Sequence, residues 1–249
     1  MNDLLLVLLR AAPEGKDLAT IITPIMSALA LILSCAAFIF SVFIQLRERK
    51  RNIRQTLSTT LSEIAGINVK VFTLRREEEE KTPELVEVIN NYNAQRGTLV
   101  SAADFLMEQN SRLASDVDLA LMARTYDQLG DTGKANQYWC EAVKRASTPA
   151  QNHKQQRDYA AFLFKKNQAE EARRMFEQSL AANFEGRDDE LAYLAQTFVL
   201  WAGLEKDFDN HADFERLMQE AGAKCQLIKN LKKRKELQEV IDRANGKGK

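Results

Sequence analysis

Turn-forming and cross-linking residues are scarce in this sequence. Its 249 residues include 10 glycines, 4 prolines and 3 cysteines. This leaves little material for the many tight turns of a β-sandwich or barrel, whereas Ala, Leu, Glu, Lys, Gln and Arg dominate and favour helices. The composition therefore predicts an all-α protein. With 45% hydrophobic and 28% charged residues, the chain is long and apolar enough for one or two domains with a hydrophobic core.

The sequence also lacks net charge and any framework for disulfides or metal. Lys+Arg and Asp+Glu both total 35, so no global basic field attracts nucleic acid, and none is expected as a partner. Cys35, Cys140 and Cys225 are odd in number and far apart, which favours free thiols in a reducing compartment. His153 and His211 have no ligand at a metal-binding spacing and are interpreted as solvated helix residues. We expect no metal and no cofactor.

One long apolar run stands out. Residues 19–46 carry no charge, and as a helix they reach roughly 42 Å, more than the ~30 Å core of a bilayer. A cleavable signal peptide has a basic start and a shorter apolar stretch. An uncleaved transmembrane helix therefore fits better. The alternative is a lipoprotein signal, since Ile32–Cys35 partly resembles a lipobox, but the residues after Cys35 stay apolar.

Basic residues flank this run unequally. Lysine and arginine are retained on the cytoplasmic side of a membrane. We therefore expect a single-pass protein of the plasma membrane with its N-terminus outside and its C-terminal domain in the cytoplasm. The basic cluster after the run is interpreted as a stop-transfer signal, and attraction to anionic headgroups is the alternative. Two basic residues precede the run and five follow it: Arg10 and Lys16, then Arg47, Arg49, Lys50, Arg51 and Arg54.

Small residues recur along the run at intervals of three and four. On a helix they lie on one face, which lets two transmembrane helices approach closely. The stripe predicts a homo-oligomer through the membrane helix, although Ala and Ser are common in such helices anyway. The five residues are Ser27, Ala30, Ser34, Ala37 and Ser41.

The chain is expected to have four segments. They are a short extracytoplasmic N-terminus, a transmembrane helix, a basic flank with an amphipathic linker helix, and a helical repeat domain with a C-terminal capping helix: residues 1–18, 19–46, 47–81 and 82–249. The linker ends in the charged run Arg75–Lys81. Thr82 and Pro83 are typical of a helix start, and the helix they begin should reach about Gln109.

The stretch GDTGKA at residues 130–135 is interpreted as a turn between two helices. A Walker-type phosphate loop has four residues between its glycines, then Lys and a Ser or Thr. Here two residues separate Gly130 from Gly133, and Ala135 follows Lys134. The residues before Gly130 also have helical and not strand periodicity. The sequence therefore predicts a helical hairpin here.

The helices around that turn resemble a tetratricopeptide repeat. In this family, small residues let paired helices touch, and a bulky aromatic fills the gap to the next pair. The matching positions are Ala123, Tyr126, Leu129, Gly130, Ala135, Trp139 and Ala142. A second unit matches at Ala160, Leu163, Ala172, Phe176 and Ser179 but lacks the turn glycine.

The rest of the C-terminal region departs from the repeat. A third helix pair, roughly Glu190–Leu204 and Asn210–Ala221, has Gly203 in place of the first-helix aromatic and no evident counterpart of Trp139. Lys224–Ala244 is expected to form a solvated capping helix. Overall the chain resembles membrane-anchored bacterial tetratricopeptide proteins of unassigned role.

That resemblance implies a binding function. Arrays of this family bind peptides or helices along the concave surface of their first helices, and five residues would project there: Arg124, Asp127, Lys154, Arg157 and Phe164. A basic groove of this kind suits an acidic segment or a C-terminal carboxylate. The family's clamp for chaperone tails uses Lys and Asn where Ala120 and Arg124 stand, so that ligand is not expected.

The leading hypothesis is a membrane-tethered scaffold that recruits a cytosolic protein or peptide. A receptor subunit of a protein transport or import machine is the alternative. An enzyme is not expected, because the sequence shows no nucleophile with a base, no paired carboxylates in an apolar setting and no metal set.

Overall fold

A computed structural model describes residues 18–77, 82–182 and 184–246 of the chain. Within these ranges there are nine α-helices, one 3-10 turn and no strand, which confirms the all-α prediction. The helices are α1 (Leu18–Glu77), α2 (Pro83–Gln109), α3 (Asp116–Leu129), α4 (Thr132–Arg145), α5 (Pro149–Lys165), α6 (Ala169–Leu180), α7 (Asp188–Asp207), α8 (His211–Gln226) and α9 (Leu231–Ala244), and the 3-10 turn is Ser111–Leu113.

The chain separates into two compact units, Met1–Ser58 and Thr59–Lys249. The described part of the first unit belongs to α1. From Ile22 onward its best apolar window has a mean hydropathy of 2.5 and no buried residue, so α1 is long and apolar enough to cross a membrane. Apart from Leu18, the predicted extracytoplasmic segment 1–18 lies outside the described residues, as do residues 78–81 of the charged run.

The predicted linker helix is not a separate element. α1 runs without a break from the apolar segment through the basic flank and on to Glu77. Residues 47–77 contain no proline, so nothing interrupts the backbone hydrogen bonds there. In the second unit, Leu61, Ile64 and Val71 of α1 are buried, as their helical spacing predicts.

Local capping signals set the helix boundaries in the second unit. Ser115 and Asp118 form a reciprocal capping box at the start of α3, with hydrogen bonds of 2.8 and 3.2 Å. At the end of α3, Gly130 adopts a left-handed backbone with φ of 88°, and the Asp131 carboxylate then accepts the Lys134 N–H at the start of α4. Gly130 and Asp131 therefore form the predicted turn between two helices, and the rest of GDTGKA is the first turn of α4.

Consecutive helices pack as pairs. The most extensive contacts join α3 with α4, α5 with α6, and α7 with α8. Small residues allow the close approach, since Ala123, Ala135, Ala160 and Ala172 are fully buried between the helices. Aromatic rings fill the remaining core, and Phe176 and Trp201 stack at 5.1 Å between ring centroids.

The third pair and the last helix differ from their predicted bounds. α7 and α8 are both longer than expected, and Trp201 supplies the bulky aromatic that the repeat pattern did not place. Lys224 belongs to α8, so the last helix starts at Leu231 and not at Lys224. The Asn230 side chain caps α9, and the Asp188 carboxylate of α7 accepts the backbone N–H groups of Lys229 and Asn230 in the turn before it.

The interpretation of His153 as a solvated residue is wrong. Its ring is buried, with Nδ1 2.8 Å from the Ser179 carbonyl oxygen and Nε2 2.9 Å from Thr197 Oγ1. Burial lowers the pKa of His153, outweighing the hydrogen bond to Ser179. His153 thus links α5 to α6 and α7. His211 is exposed, as expected.

Candidate binding cleft

A cleft of about 360 Å³ lies where α3, α4 and α5 meet. Helical spacing aligns its walls, because residues three and four apart share one face of a helix. α3 contributes Arg124, Asp127 and Gln128, α4 contributes Trp139, and α5 contributes Asp158, Ala161, Phe162 and Lys165. The structure therefore brings two of the five predicted binding residues, Arg124 and Asp127, into one concave site.

Arg124 lines the cleft and carries a positive charge into it. It forms an ion pair with Asp158, and its guanidinium lies 5.5 Å from the centroid of the Trp139 ring. Arg157 binds the same carboxylate through Nε and Nη2 at 2.9 and 2.8 Å. Two arginines therefore share one aspartate, and the cationic capacity at this point exceeds what Asp158 neutralises.

A second ion pair involves Asp127, another residue of the cleft lining. The Lys166 ammonium lies 2.6 Å from Asp127 and 5.7 Å from the centroid of the Phe162 ring. Lys165 is exposed at the cleft wall. Among these residues four side chains are cationic and two are anionic, so the local balance is positive although the whole chain is neutral. The cleft suits an anionic ligand.

Trp139 adds an unused hydrogen-bond donor. The residue is 2% exposed, and its indole Nε1 has no acceptor among the described residues. A buried donor without a partner costs free energy, about 1–3 kcal/mol in general. Trp139 lines the cleft together with Arg124 and Lys165. Carboxylate and carbonyl oxygens are the groups that such a set of donors binds.

The other predicted binding residues have different positions. Lys154 is exposed on α5 outside the cleft lining, and Arg157 reaches the cleft through Asp158. The expectation that Phe164 projects into the groove is wrong, since it is fully buried and its ring packs against Phe176 and Phe208 at 6.0 and 5.4 Å. Residues that are two positions apart on a helix, such as Phe162 and Phe164, point to different faces.

Phe162, Asp158 and Lys165 are cleft residues that the sequence analysis missed. They are spaced by four and three along α5, as expected for one face of a helix. Counting this spacing outward from Asp158 would have selected Phe162 in place of Phe164. Gln128 was missed in the same way, since it follows Arg124 by four residues.

A buried arginine holds one wall of the cleft. Arg96 of α2 donates from Nη1 to Gln128 at 2.5 Å and to Asn68 at 2.9 Å, while Asn68 donates to Thr125 at 3.1 Å. Within the described part of the chain, no carboxylate lies at ion-pair distance from Arg96. Burial and the nearby Arg75 lower the pKa of Arg96. Amide oxygens alone therefore stabilise this cation.

A second cleft, of about 280 Å³, lies beside Asp104 on the other side of α4. Asp104 accepts hydrogen bonds from Tyr126 at 2.7 Å and from Tyr138 and Lys134. Burial raises the pKa of Asp104, but these hydrogen bonds outweigh it and bring the pKa below its usual value. These donors belong to α3 and α4, whereas Asp104 belongs to α2. The carboxylate therefore links α2 to α3 and α4.

The predicted membrane stripe and the metal prediction concern other parts of the chain. Ser27, Ala30, Ser34, Ala37 and Ser41 are all exposed on α1. In the ranges that the structure describes, no cluster of three or more His, Cys, Asp or Glu side chains could hold a metal ion.

A scan of protein-family models and searches of curated proteins and of solved structures found no match to this chain.

Proposed function

We propose that this protein is a membrane-anchored, tetratricopeptide-like scaffold that recruits a cytosolic protein by binding an acidic segment in the cleft. One observation carries the proposal: Arg124 and Arg157 share a single carboxylate in a cleft that Trp139 also lines, and Arg124 lies 5.5 Å from the centroid of the Trp139 ring. A ligand carboxylate can take Arg124 from Asp158 while Arg157 keeps Asp158 neutralised. The exchange leaves no charge unpaired.

The anchor in this proposal is the apolar part of α1. Its length and hydropathy support a membrane span, and the basic residues from Arg47 to Arg54 support a cytoplasmic position for the second unit. The helix pairs α3–α4 and α5–α6, with buried alanines at their contacts, support the tetratricopeptide-like assignment.

We propose binding in preference to catalysis because of how the acidic side chains are used. The Asp104 carboxylate is surrounded by donors from the fold, and so is that of Glu205, which binds Arg173, Trp201 and Asn210. A general acid or base instead needs access to a substrate proton.

Site-specific photo-crosslinking in the native cell tests the proposal. A benzophenone amino acid at Ala161, in the cleft lining, should capture a defined protein, whereas the same amino acid at exposed Arg174 should not. Adding Arg124→Gln should reduce the Ala161 adduct about tenfold or more, because a charge-assisted hydrogen bond is lost.

The controls separate cleft binding from general charge. Lys144→Gln removes an exposed cation outside the cleft and should leave the adduct unchanged. Equal adducts from positions 161 and 174, or an adduct insensitive to Arg124→Gln, would contradict the proposal. The identity of the captured protein decides between a general scaffold and a receptor of a transport machine.

A further inference from the structure

The turn between α8 and α9 exposes leucine and lysine side chains together. Leu227 is 60% exposed and Leu231 is 69% exposed. Lys229, Lys232 and Lys235 are exposed beside them. We name these five residues the α8–α9 tip. Apolar side chains that are exposed next to a rim of polar residues are a feature of interaction sites.

The fold holds this tip in a fixed shape. Ile228, between the two exposed leucines in sequence, is fully buried. The Asp188 carboxylate accepts the backbone N–H groups of Lys229 and Asn230 at 3.0 and 2.8 Å. Leu227 and Leu231 are therefore presented by an ordered turn. A partner binds such a turn without first having to order it.

The lysines of the tip carry charge that no described ion pair neutralises. Its first turn has no acidic residue, and Lys232–Lys235 is an unbroken basic run. Positive charge is unfavourable near the start of a helix, where the helix dipole is also positive. Lys233 is neutralised by Asp189, but Lys229, Lys232 and Lys235 have no ion-pair partner among the described residues. Their shared charge suits an anionic surface.

Leucine next to lysine favours a lipid surface over nucleic acid. Proteins that bind single-stranded nucleic acid stack its bases on aromatic rings, and residues 224–235 contain no aromatic residue. Lysines instead attract anionic headgroups, and leucines insert at the boundary between headgroups and acyl chains. We propose that the α8–α9 tip binds the surface of membranes that contain anionic lipid.

This site is separate from the cleft and does not depend on the proposed ligand of the cleft. Recognition by the tip requires negative headgroup charge for the lysines and an acyl boundary for the leucines. The two contributions are separable by substitution, because the leucines and lysines are different residues of one turn.

Vesicle co-sedimentation tests the tip on the full-length protein. The chain is held in nanodiscs of phosphatidylcholine alone and mixed with sucrose-loaded vesicles, either of phosphatidylcholine or with a third of phosphatidylserine. We expect binding to the phosphatidylserine vesicles, weakened by salt. The triple variant Lys229→Gln, Lys232→Gln, Lys235→Gln should lose about tenfold or more of it.

Matched variants isolate the tip. Lys144→Gln, Arg174→Gln, Lys206→Gln removes the same charge from other exposed positions and should keep the binding. Leu227→Gln with Leu231→Gln should weaken it at unchanged charge, whereas Val117→Gln, at a 53% exposed valine elsewhere, should not. Far-ultraviolet circular dichroism confirms that each variant is folded.

Three outcomes overturn the proposal. One is equal binding to both kinds of vesicle, and another is equal loss in the two charge triples. The third is binding of a labelled single-stranded RNA that the tip lysine variant loses and the leucine variant keeps, which would assign the tip to nucleic acid.

Discussion

Removing the charge of Glu205 should destabilise the second unit strongly. Its carboxylate is fully buried and accepts four hydrogen bonds, from Arg173 Nε and Nη2 and from Trp201 Nε1 at 2.8 Å and from Asn210 Nδ2 at 2.9 Å. In Glu205→Gln the new NH₂ group faces these donors. Breaking a buried ion pair on one side costs about 3–5 kcal/mol.

The expected loss is somewhat smaller than that range. The Arg173 side chain is 28% exposed and would still form its ion pair with Glu170 at 3.0 Å. Water and Glu170 therefore partly compensate the positive charge of Arg173 when the Glu205 carboxylate is removed. We therefore expect Glu205→Gln to lower the free energy of unfolding by about 2–4 kcal/mol. Glu170→Gln is the matched control, because Glu170 binds the same arginine but its side chain is 89% exposed, and its loss should cost at most about 1 kcal/mol.

Urea unfolding of the nanodisc-held protein, followed by tryptophan fluorescence, measures the difference. The chain has two tryptophans, Trp139 and Trp201, and both are buried, so unfolding changes their emission. A Glu205→Gln variant within 0.5 kcal/mol of wild type, on the order of an ordinary surface substitution, would refute the reasoning. So would equal losses for Glu205→Gln and Glu170→Gln.

Acid should act on the same residue. Burial raises the pKa of Glu205, but hydrogen bonds from Arg173, Trp201 and Asn210 outweigh it, and the pKa lies below its usual value. The folded state therefore binds its proton less tightly than the unfolded chain. The resulting stability is present above about pH 4.3 and is lost as the pH falls toward the lowered pKa. Glu205→Gln should remove this dependence.

Three further predictions concern other parts of the chain. Burial lowers the pKa of His153, so the free energy of unfolding should be constant above about pH 6.5 and should fall below it by at most about 1.4 kcal/mol per pH unit. In urea titrations at several pH values, His153→Gln should abolish this slope and His211→Gln should keep it. Gly130→Ala should lower the free energy of unfolding by about 1–2 kcal/mol, since φ is 88° at this position, whereas Gly203→Ala within α7 should raise it by about 0.5–1 kcal/mol. If both variants are destabilised, the backbone explanation is wrong. Replacing Ala30 and Ala37 with Leu should abolish crosslinking of the protein to itself in detergent if the small-residue face of α1 forms a homo-oligomer, and unchanged crosslinking would dispose of that hypothesis.

The helices and their turns could be predicted because their signals are local. Thr82 and Pro83 start α2, and Gly130 with Asp131 separates α3 from α4, each within a few residues of the element that they bound. The absence of proline between residues 47 and 77 could also have predicted the unbroken α1. The sequence analysis divided this segment into a transmembrane helix and a linker helix because their compositions differ, and it therefore did not predict one continuous helix.

Burial of polar residues could not be predicted in this way. His153 contacts Ser179 and Thr197, which lie 26 and 44 residues further along the chain, and Arg173 reaches Glu205 over 32 residues. Such partners meet only after the helix pairs have packed. Phe164 was assigned to the groove for a different reason, because an alignment to a repeat gives approximate positions but not the direction of each side chain.

The guanidinium of Arg96 makes the cleft sensitive to α1. Asn68 of α1 and Gln128 of the cleft wall both accept hydrogen bonds from its Nη1 atom. A shift of α1 at Asn68 must therefore break one of these bonds or carry the wall with it. No carboxylate in the described residues would compensate a broken bond, so each break leaves the buried guanidinium less well satisfied. Tension or rotation applied to α1 near Asn68 would reach the cleft through Arg96 and through the hydrogen bond from Asn68 to Thr125.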